Sequence, residues 1–569
     1  MGERDKYAKL VELAKRRGFF WPSFEIYGGV SGFYDLGPLG TLLKENIKRL
    51  WLDYFVTKHS DMVVAIETPM ITPEIVFKAS GHLESFTDPI VSCNKCGRVF
   101  RADQLIEDAL GIKVEGKTPE ELTKIIKEKG VKCPVCGGEL GEVRTFNLLF
   151  QTYIGPYSRD KGYLRPEAAQ GMFLAFKRVH TVMRSKLPLG IGQIGRVARN
   201  EISPRQSMIR LREFTIMEVE FFFDPSEKYS PPFERFNNRL NILTAEDRLK
   251  GVEKPTTYDA EEAVKEGVVK NEWLAYWMVV SKEFVKELGV AEEETFFEEK
   301  LPDERAHYAT QTFDQMVKVS RWGWVEVSGH AYRGDYDLSR HMKFSGQDLT
   351  VFKRFPEPRV VKVKKLQVDK AALGRLFRGD APKVLKKLEG LDPSSVEKLR
   401  EAGEKYVKVG EFEVPLSMFS VVSVEERVTG EKIVPHVVEP SFGSERLVYV
   451  ALDKSYFEEK DRTVLRFSPR IAPVKVAVFP LLAKEPFTSK AKEIYSMLRD
   501  SGIMAIYDES GSIGRRYARA DEIGVPYAVT VDHRTMEDET VTVRFRDSRE
   551  QIRVDVSDIV EWIRMKVSV

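Results

Sequence analysis

Cysteine is scarce in this sequence: four residues of 569, all within one stretch. That excludes a disulfide-dense scaffold. Long apolar runs are absent as well; none approaches the roughly 18 residues that cross a bilayer. The first twenty residues, MGERDKYAKLVELAKRRGFF, are charged throughout and lack the apolar centre of a signal peptide, so a cytoplasmic chain is expected. Excess charge of one sign is missing too. With 89 Lys+Arg against 87 Asp+Glu, the net charge is +2, and any contact with nucleic acid must come from local basic patches. What is present is ordinary globular composition, 42% hydrophobic, in a chain long enough for about three or four domains. The 31% of charged residues leans toward a thermophilic source.

The cysteines fall in two Cys-x-x-Cys pairs, Cys93 with Cys96 and Cys133 with Cys136, each followed by glycine (CNKCG, CPVCGG). Two such knuckles with none left over suit a tetrahedral four-thiolate zinc site, against two disulfides or four free thiols. Four thiolates leave no open position for water, so such a zinc is structural. The intervening PEELTKIIKEKG reads as a helix within a zinc ribbon.

Along the chain, PLGTLLKENIKRLWLDYF (38–55) carries Leu43, Ile47, Leu50, Trp51 and Tyr54 at helical spacing after a proline start. A strand-like run, VVAIETPMITP, follows, and its Pro69 favours an edge or an interface. Residues 191–223 alternate as strands around a turn at SPRQS. An unbulged strand there places Arg210, Arg212, Phe214, Ile216, Glu218, Glu220 and Phe222 on one face. Residues 224–320 are charged and helix-prone, and read as an insertion domain. Residues 359–408 hold 14 Lys+Arg against 7 Asp+Glu, a local net charge of +7, either a solvated face or a nucleic-acid contact. From Pro473 a βαβαβ order implies a separate α/β domain with a mostly parallel sheet, and Arg515, Arg516 and Arg519 cluster on its second helix, as a solvated face or as an RNA contact.

Three separated segments carry one chemistry. Arg199–Asn200–Glu201 is one; the strand after it, with Arg210 and Glu218, is another. In the third, HVVEPSFGSERLVYVAL, Glu439 leads to Gly443 and then to Arg446 at a helix start. Arginine forks and carboxylates in this pattern suit a nucleotide with its phosphates; an internal salt-bridge network is the bland alternative.

Together these segments resemble the three signature motifs of class II aminoacyl-tRNA synthetases: a helix–strand ending at Pro69, the RNE…IRLREF hairpin, and FGSER. The stretches YGGVSGFYDLGPLG, FRADQL, YLRPEAAQGMF, ARNEISPR, REFTIMEVEFF and EPSFG narrow the resemblance to the glycyl-tRNA synthetase family of the homodimeric archaeal and eukaryotic type, over nearly the whole chain. One departure is Gly-Ser-Glu-Arg at 443–446, where that family more often has Gly-Leu-Gly-Arg.

The resemblance implies an α+β fold: an antiparallel-sheet catalytic domain with helical and zinc-ribbon-like insertions, then a C-terminal α/β anticodon-binding domain. The implied divisions are 1–223 (first part of the catalytic core, with the cysteine insertion at about 90–145), 224–320 (insertion), 321–356 (core), 357–425 (basic insertion), 426–472 (core) and 473–569 (anticodon-binding). Catalytic roles fall to Arg199, Glu201 and Arg446. The ATP site takes in Arg199, Asn200, Glu201, Ile209, Arg210, Leu211, Phe214, Glu326, Val327, Gly443 and Arg446. Glycine is surrounded by Arg101, Glu167, Phe214, Glu218, Glu439, Ser441 and Gly443. Glu326 and Glu439 carry Mg²⁺ with ATP; Cys93, Cys96, Cys133 and Cys136 carry Zn²⁺. The implied partners are ATP, glycine, tRNA(Gly) and a second copy of the chain. A binding-only paralogue would have lost a motif arginine, and Arg199, Glu201 and Arg446 are all present. A synthetase of the same class for another small amino acid is the other rival, against which EPSFG and FRADQL argue.

Overall fold

The 38–55 periodicity folds as expected. Pro38 opens a helix at Gly37, and Leu43, Ile47, Leu50, Trp51, Tyr54 and Phe55 are all buried. The computed structural model describes residues 3–114, 116–157, 159–202, 204, 206–388 and 390–568. Ser203 and Arg205, in the turn expected around SPRQS, lie outside them. The chain divides into two compact units: Met1–Leu349 with Val434–Val569, and Thr350–Ile433.

The first unit is built on a nine-stranded, mostly antiparallel sheet. Its strands are β1 (Val63–Ala65), β2 (Leu189–Ala198), β3 (Glu213–Phe223), β4 (Arg239–Leu243), β5 (Thr256–Asp259), β6 (Thr295–Glu299), β7 (Gln311–Val319), β8 (Gly323–Gly334) and β9 (His436–Gly443). They lie in the order β5-β4-β6-β7-β8-β9-β3-β2-β1, with β1 parallel to β2 and β4 parallel to β6. One face is covered by α1 (Pro38–Phe55), α2 (Glu272–Lys286) and α3 (Ser444–Ser455). Trp51 stacks on Phe55 at 5.2 Å, Phe55 on Trp277 at 5.8 Å, and Phe442 meets Phe55 and Phe284 edge-on. Fully burying each such ring contributes roughly 1.5–3 kcal/mol.

This packing corrects the expected insertion at 224–320. That segment supplies β4 to β7 to the central sheet and α2 to its core, where Trp273 and Trp277 pack on Phe221. Its charged residues occupy the outward faces of these elements and mask the apolar ones in the sequence. The single-face expectation for 210–222 is corrected as well. β3 starts at Glu213, so Arg210 and Arg212 precede the strand and only Phe214 to Phe222 alternate on it.

Pro69 lies in the irregular link after the edge strand β1. Its carbonyl and those of Thr68 and Arg196 accept from Arg165, which is buried beneath. Arg165 has that space because residue 195 is glycine: a Cβ there would lie 2.0 Å from Nη2 of Arg165. Gly195→Ala is therefore expected to cost ~1–3 kcal/mol of stability as overpacking. It should lower the midpoint of thermal unfolding in differential scanning fluorimetry; an unchanged midpoint would contradict this role for Arg165.

The second unit is a long antiparallel ribbon, Val351–Val368 paired with Phe419–Ile433, ending in three short helices around Leu373, Val384, Leu388, Val396 and Val414. It is wider than the expected 357–425, because ribbon pairing runs from Val351 to Ile433.

The C-terminal sheet has the order β11-β10-β12-β13-β14, for β10 (Val476–Pro480), β11 (Ala505–Tyr507), β12 (Tyr527–Val531), β13 (Thr540–Phe545) and β14 (Gln551–Asp555). The first three are parallel and the last two antiparallel. The expected arginine cluster separates. Arg516 is 2% exposed and donates to the carbonyls of Pro480, Glu509 and Gly511; Arg519 pairs with Asp508. Arg515 alone of the three is exposed. Arg462 with Asp521 at 2.6 Å and Arg546 with the Phe467 carbonyl at 2.7 Å tie this sheet to the residues before 473.

Candidate active site

The sheet face opposite the aromatic core carries an arginine-lined pocket and, beside it, a cluster of buried carboxylates. Arg199, Glu201, Ile209, Arg210, Leu211, Phe214, Gly443 and Arg446 line the pocket, together with Met208 and Glu445. Their positions come from β3 and β9 being neighbours, which places Gly443 opposite Ile216, next to Phe214. The Arg199 guanidinium lies 5.3 Å from the Phe214 ring centroid and donates to the Pro166 carbonyl. Arg210 donates to Glu201 at 2.7 Å. Arg446 donates to the backbone carbonyls of Ile209 (3.1 Å) and Glu326. The result is an arginine-rimmed slot with an aromatic wall, suited to a nucleotide and its phosphates. Asn200 enters it through position rather than contact: its amide donates to Leu148. Val327 is 1% exposed and packed in the core, so only its backbone could face a ligand.

Glu326 reaches the slot because of a bulge. The β7–β8 register shifts between Gln315 and Met316, pairing Gln315 with Ser328 but Met316 with Glu326. The extra residue re-aims the strand and leaves the Glu326 carboxylate 3.7 Å from Arg446. Glu439 is elsewhere. It pairs with Ala331, five residues from Glu326 along β8, a separation of roughly 15 Å at ~3.3 Å per residue. Glu326 and Glu439 thus stand at different positions along β8 and β9. Glu439 instead accepts from Arg333 at 2.8 Å.

The neighbouring feature is a cluster of buried carboxylates. Glu218 sits between Gln193 on β2 and Ser441 on β9. Its carboxylate accepts from the Ala168 amide (2.7 Å) and the Ser441 hydroxyl (2.9 Å). Glu167 accepts from Gln170 at 2.9 Å and lies 3.4 Å from His82 and 3.6 Å from Arg333. Arg333 is fully buried and also donates to Asp337 at 2.8 Å. One arginine thus faces Glu167, Glu439 and Asp337. Burial, then the facing carboxylates of Glu439 and Glu167, push the Glu218 carboxyl up to about 8. Burial also works against the Glu167 carboxylate, but His82 and Arg333 outweigh it and hold it below its ordinary range. Both oxygens of the buried Glu220 lack a hydrogen-bond partner among the described residues, and burial holds this carboxyl well above its ordinary range. Buried carboxyls held above their ordinary range ionise most readily beside a small cationic ligand.

Arg101, expected among the glycine ligands, lies elsewhere. It makes a paired contact with Asp103, sits 3.6 Å from Asp88, and lines a neighbouring cleft with Arg210, Gln104 and Gln206. Arg333, Asp337, Gln170 and His82 were not anticipated. Each is ordinary in its local sequence and enters only through long-range packing. Glu445, the departure from the usual motif, is buried and accepts from Lys44 (2.7 Å) and the Thr215 amide (2.8 Å), tying α3 to α1 and β3.

The four cysteines converge: their sulfurs all lie within 4.8 Å of one another, with Cys93 3.5 Å from Cys136 and Cys96 3.8 Å from Cys133. At ~2.3 Å per Zn–S bond a tetrahedron has sulfur edges of ~3.8 Å, so the set fits a tetrahedral ion. Residue 138 must be small, since a Cβ there would lie 3.1 and 3.2 Å from the Cys93 and Cys136 sulfurs. Amides of Cys96 and Lys95 pull the Cys93 thiol down to about 6.

The anticodon binding domain family matches residues 475–566. Over 564 residues the chain is 57% identical to the glycine–tRNA ligase of Aeropyrum pernix, covering 98% of this chain and 96% of that one. It is 51% identical to the glycine–tRNA ligase of Pyrococcus horikoshii over 562 residues, 98% of each. Identity to that of Methanococcus maripaludis is 44% over 577 residues, 99% of this chain and all of the relative. With this likeness along its full length, and an arginine-lined slot beside a cluster of buried carboxylates, the chain belongs to the glycine–tRNA ligase family.

Proposed function

We infer that the chain activates glycine with ATP and transfers it to the 3′-terminal adenosine of tRNA(Gly). The observation that carries this reading is the cluster of buried carboxylates beside the arginine-rimmed slot. The slot takes ATP: Arg199 and Glu201 hold the α-phosphate and adenine side, Arg210 the β- and γ-phosphates, and Arg446 with Phe214 clamps the nucleotide. The carboxylate cluster takes the ammonium of glycine on Glu218, Glu167 and Glu439, with Ser441 closing the floor. The glycine carboxylate attacks the α-phosphorus, pyrophosphate leaves, and the tRNA hydroxyl later displaces AMP from the adenylate. Neither step needs a protein nucleophile; positioning and fixed cations against developing phosphate charge supply the rate. Mg²⁺ accompanies ATP and neutralises phosphate charge, with Glu326 as the carboxylate that would hold it, in keeping with the one or two carboxylates usual for Mg²⁺–nucleotide sites. A site built on Glu218, Ser441 and Gly443, neighbours on β3 and β9, would select glycine by excluding larger side chains. Charging of tRNA(Gly) with radiolabelled glycine but not alanine tests this reading; equal charging with both would overturn it.

The cysteine module holds structural Zn²⁺. One zinc per chain is expected by mass spectrometry of the purified protein, and Cys133→Ser should lose it. A wild-type protein without zinc would contradict the assignment. The 475–566 domain contacts the anticodon arm, with the exposed Arg515 rather than Arg516 available to it, and the basic unit around 359–408 adds tRNA contacts. The chain acts as a homodimer. Supporting this, Ile71 and Ile154 are about half exposed, and both lie against Gly162 on the small sheet that follows β1.

A further inference from the structure

Between Phe24 and Gly32 lie the two most exposed large apolar side chains among the described residues. Ile26 is 88% and Tyr27 86% exposed, with Phe24 and Val30 about half exposed beside them. A soluble chain gains nothing from two such side chains side by side unless something covers them. The loop is not loose. Phe24 stands in the left-handed region and meets Phe33 edge-on at 5.8 Å. Gly29 donates to the Phe24 carbonyl (2.9 Å), Ser23 to that of Phe33 (3.1 Å), and Lys15 pairs with Glu25 at 2.7 Å. Its far end is locked to the segment that forms the nucleotide slot. Ser31 donates to the Pro204 carbonyl, Arg212 to the carbonyls of Ser31 and Glu201, and the Arg212 amide to Gly32 at 2.9 Å. Gly32 has φ +81°, and a Cβ there would meet Pro204 at 2.5 Å. The exposed surface is thus fixed relative to Met208, Ile209 and Arg210, which line the nucleotide slot.

We propose that this loop is a stacking platform for the unpaired 3′-terminal bases of tRNA, with Tyr27 against a base face and Ile26 beside it. The inference rests on the tRNA-charging reading and names where that substrate's end is held. Residues 26 to 32, IYGGVSG, carry no charge, which ill suits a duplex presenting phosphates but suits exposed base faces, since stacking on an aromatic ring is indifferent to sequence. A second copy of the chain is the other candidate occupant, and the test below separates the two.

The test uses the full-length protein with Tyr27→Ala and Tyr27→Phe. Glycine-dependent ATP–pyrophosphate exchange should stay within twofold of wild type in both. The KM for tRNA should rise about tenfold in Tyr27→Ala and return in Tyr27→Phe, from the usual cost of losing one base–aromatic stack. Wild type should bind a hairpin RNA bearing an unpaired ACCA tail more tightly than the trimmed hairpin, and Tyr27→Ala should lose that preference. Unchanged KM and unchanged tail preference overturn the proposal. So does a smaller sedimenting species for Tyr27→Ala, which would assign the loop to a second copy. Absence of exchange in wild type would instead overturn the activation reading, and is read before any variant.

Discussion

Glu218→Gln should raise the KM for glycine about a hundredfold and leave the KM for ATP within about twofold. The carboxylate is 1% exposed, fixed by the Ala168 amide and the Ser441 hydroxyl, and removing its charge leaves the ammonium one buried counter-ion short. Truncating one partner of a buried charge pair costs ~2–5 kcal/mol, and a hundredfold is about 2.7 kcal/mol. Steady-state pyrophosphate exchange with each substrate varied in turn checks it; equal shifts in both constants would contradict the assignment. A pH dependence accompanies it. In the free enzyme the Glu218 carboxyl is raised to about 8, so below that pH it is mainly protonated and must lose its proton to bind an ammonium. The KM for glycine should therefore fall as pH rises from about 6.5 to 8 and level off above. The glutamine variant should lack this slope.

Arg446→Ala should lower the rate of exchange by about 10³ with little change in the KM for glycine. Its guanidinium bridges the Ile209 and Glu326 carbonyls across the mouth of the slot, where it faces developing phosphate charge. Losing one preorganised donor of this kind costs roughly 10²–10³, and the fixed charge adds to that. Single-turnover adenylate formation separates this from a binding defect: a normal rate at saturating ATP would contradict the role. Glu445→Gln offers a contrast, since Glu445 contacts Lys44 and the Thr215 amide, and its loss should show chiefly as lower thermal stability.

Where local pattern carries the information, the fold was legible. The 3.6-residue spacing of Leu43, Ile47, Leu50 and Trp51 named a helix, and PEELTKIIKEKG named the one between the cysteine pairs, which runs Pro119–Lys129. Alternation on β3 correctly put Glu218 and Glu220 on one face, because the strand runs unbulged against β2 from Glu213 to Phe222. The bulge at Val327, which aims Glu326 at the slot, had no such signal. Residues 224–320 misled because charged surface positions outnumber the apolar ones that join the sheet. Arg333 was missed for the opposite reason. Nothing in GHAYRGDYDL marks an arginine as buried; only the fold brings Glu167, Asp337 and Glu439 around it. Arg516 and Arg519 misled similarly, since a helical cluster of arginines reads as surface until a carbonyl cage is found around one of them.

The central claim is that the carboxylate cluster selects glycine for the adjoining nucleotide slot. ATP–pyrophosphate exchange without tRNA, with glycine, alanine, serine and proline supplied separately, tests it most directly. Exchange with glycine alone is predicted. Exchange with alanine or serine at a comparable rate, or none with any amino acid, would contradict it.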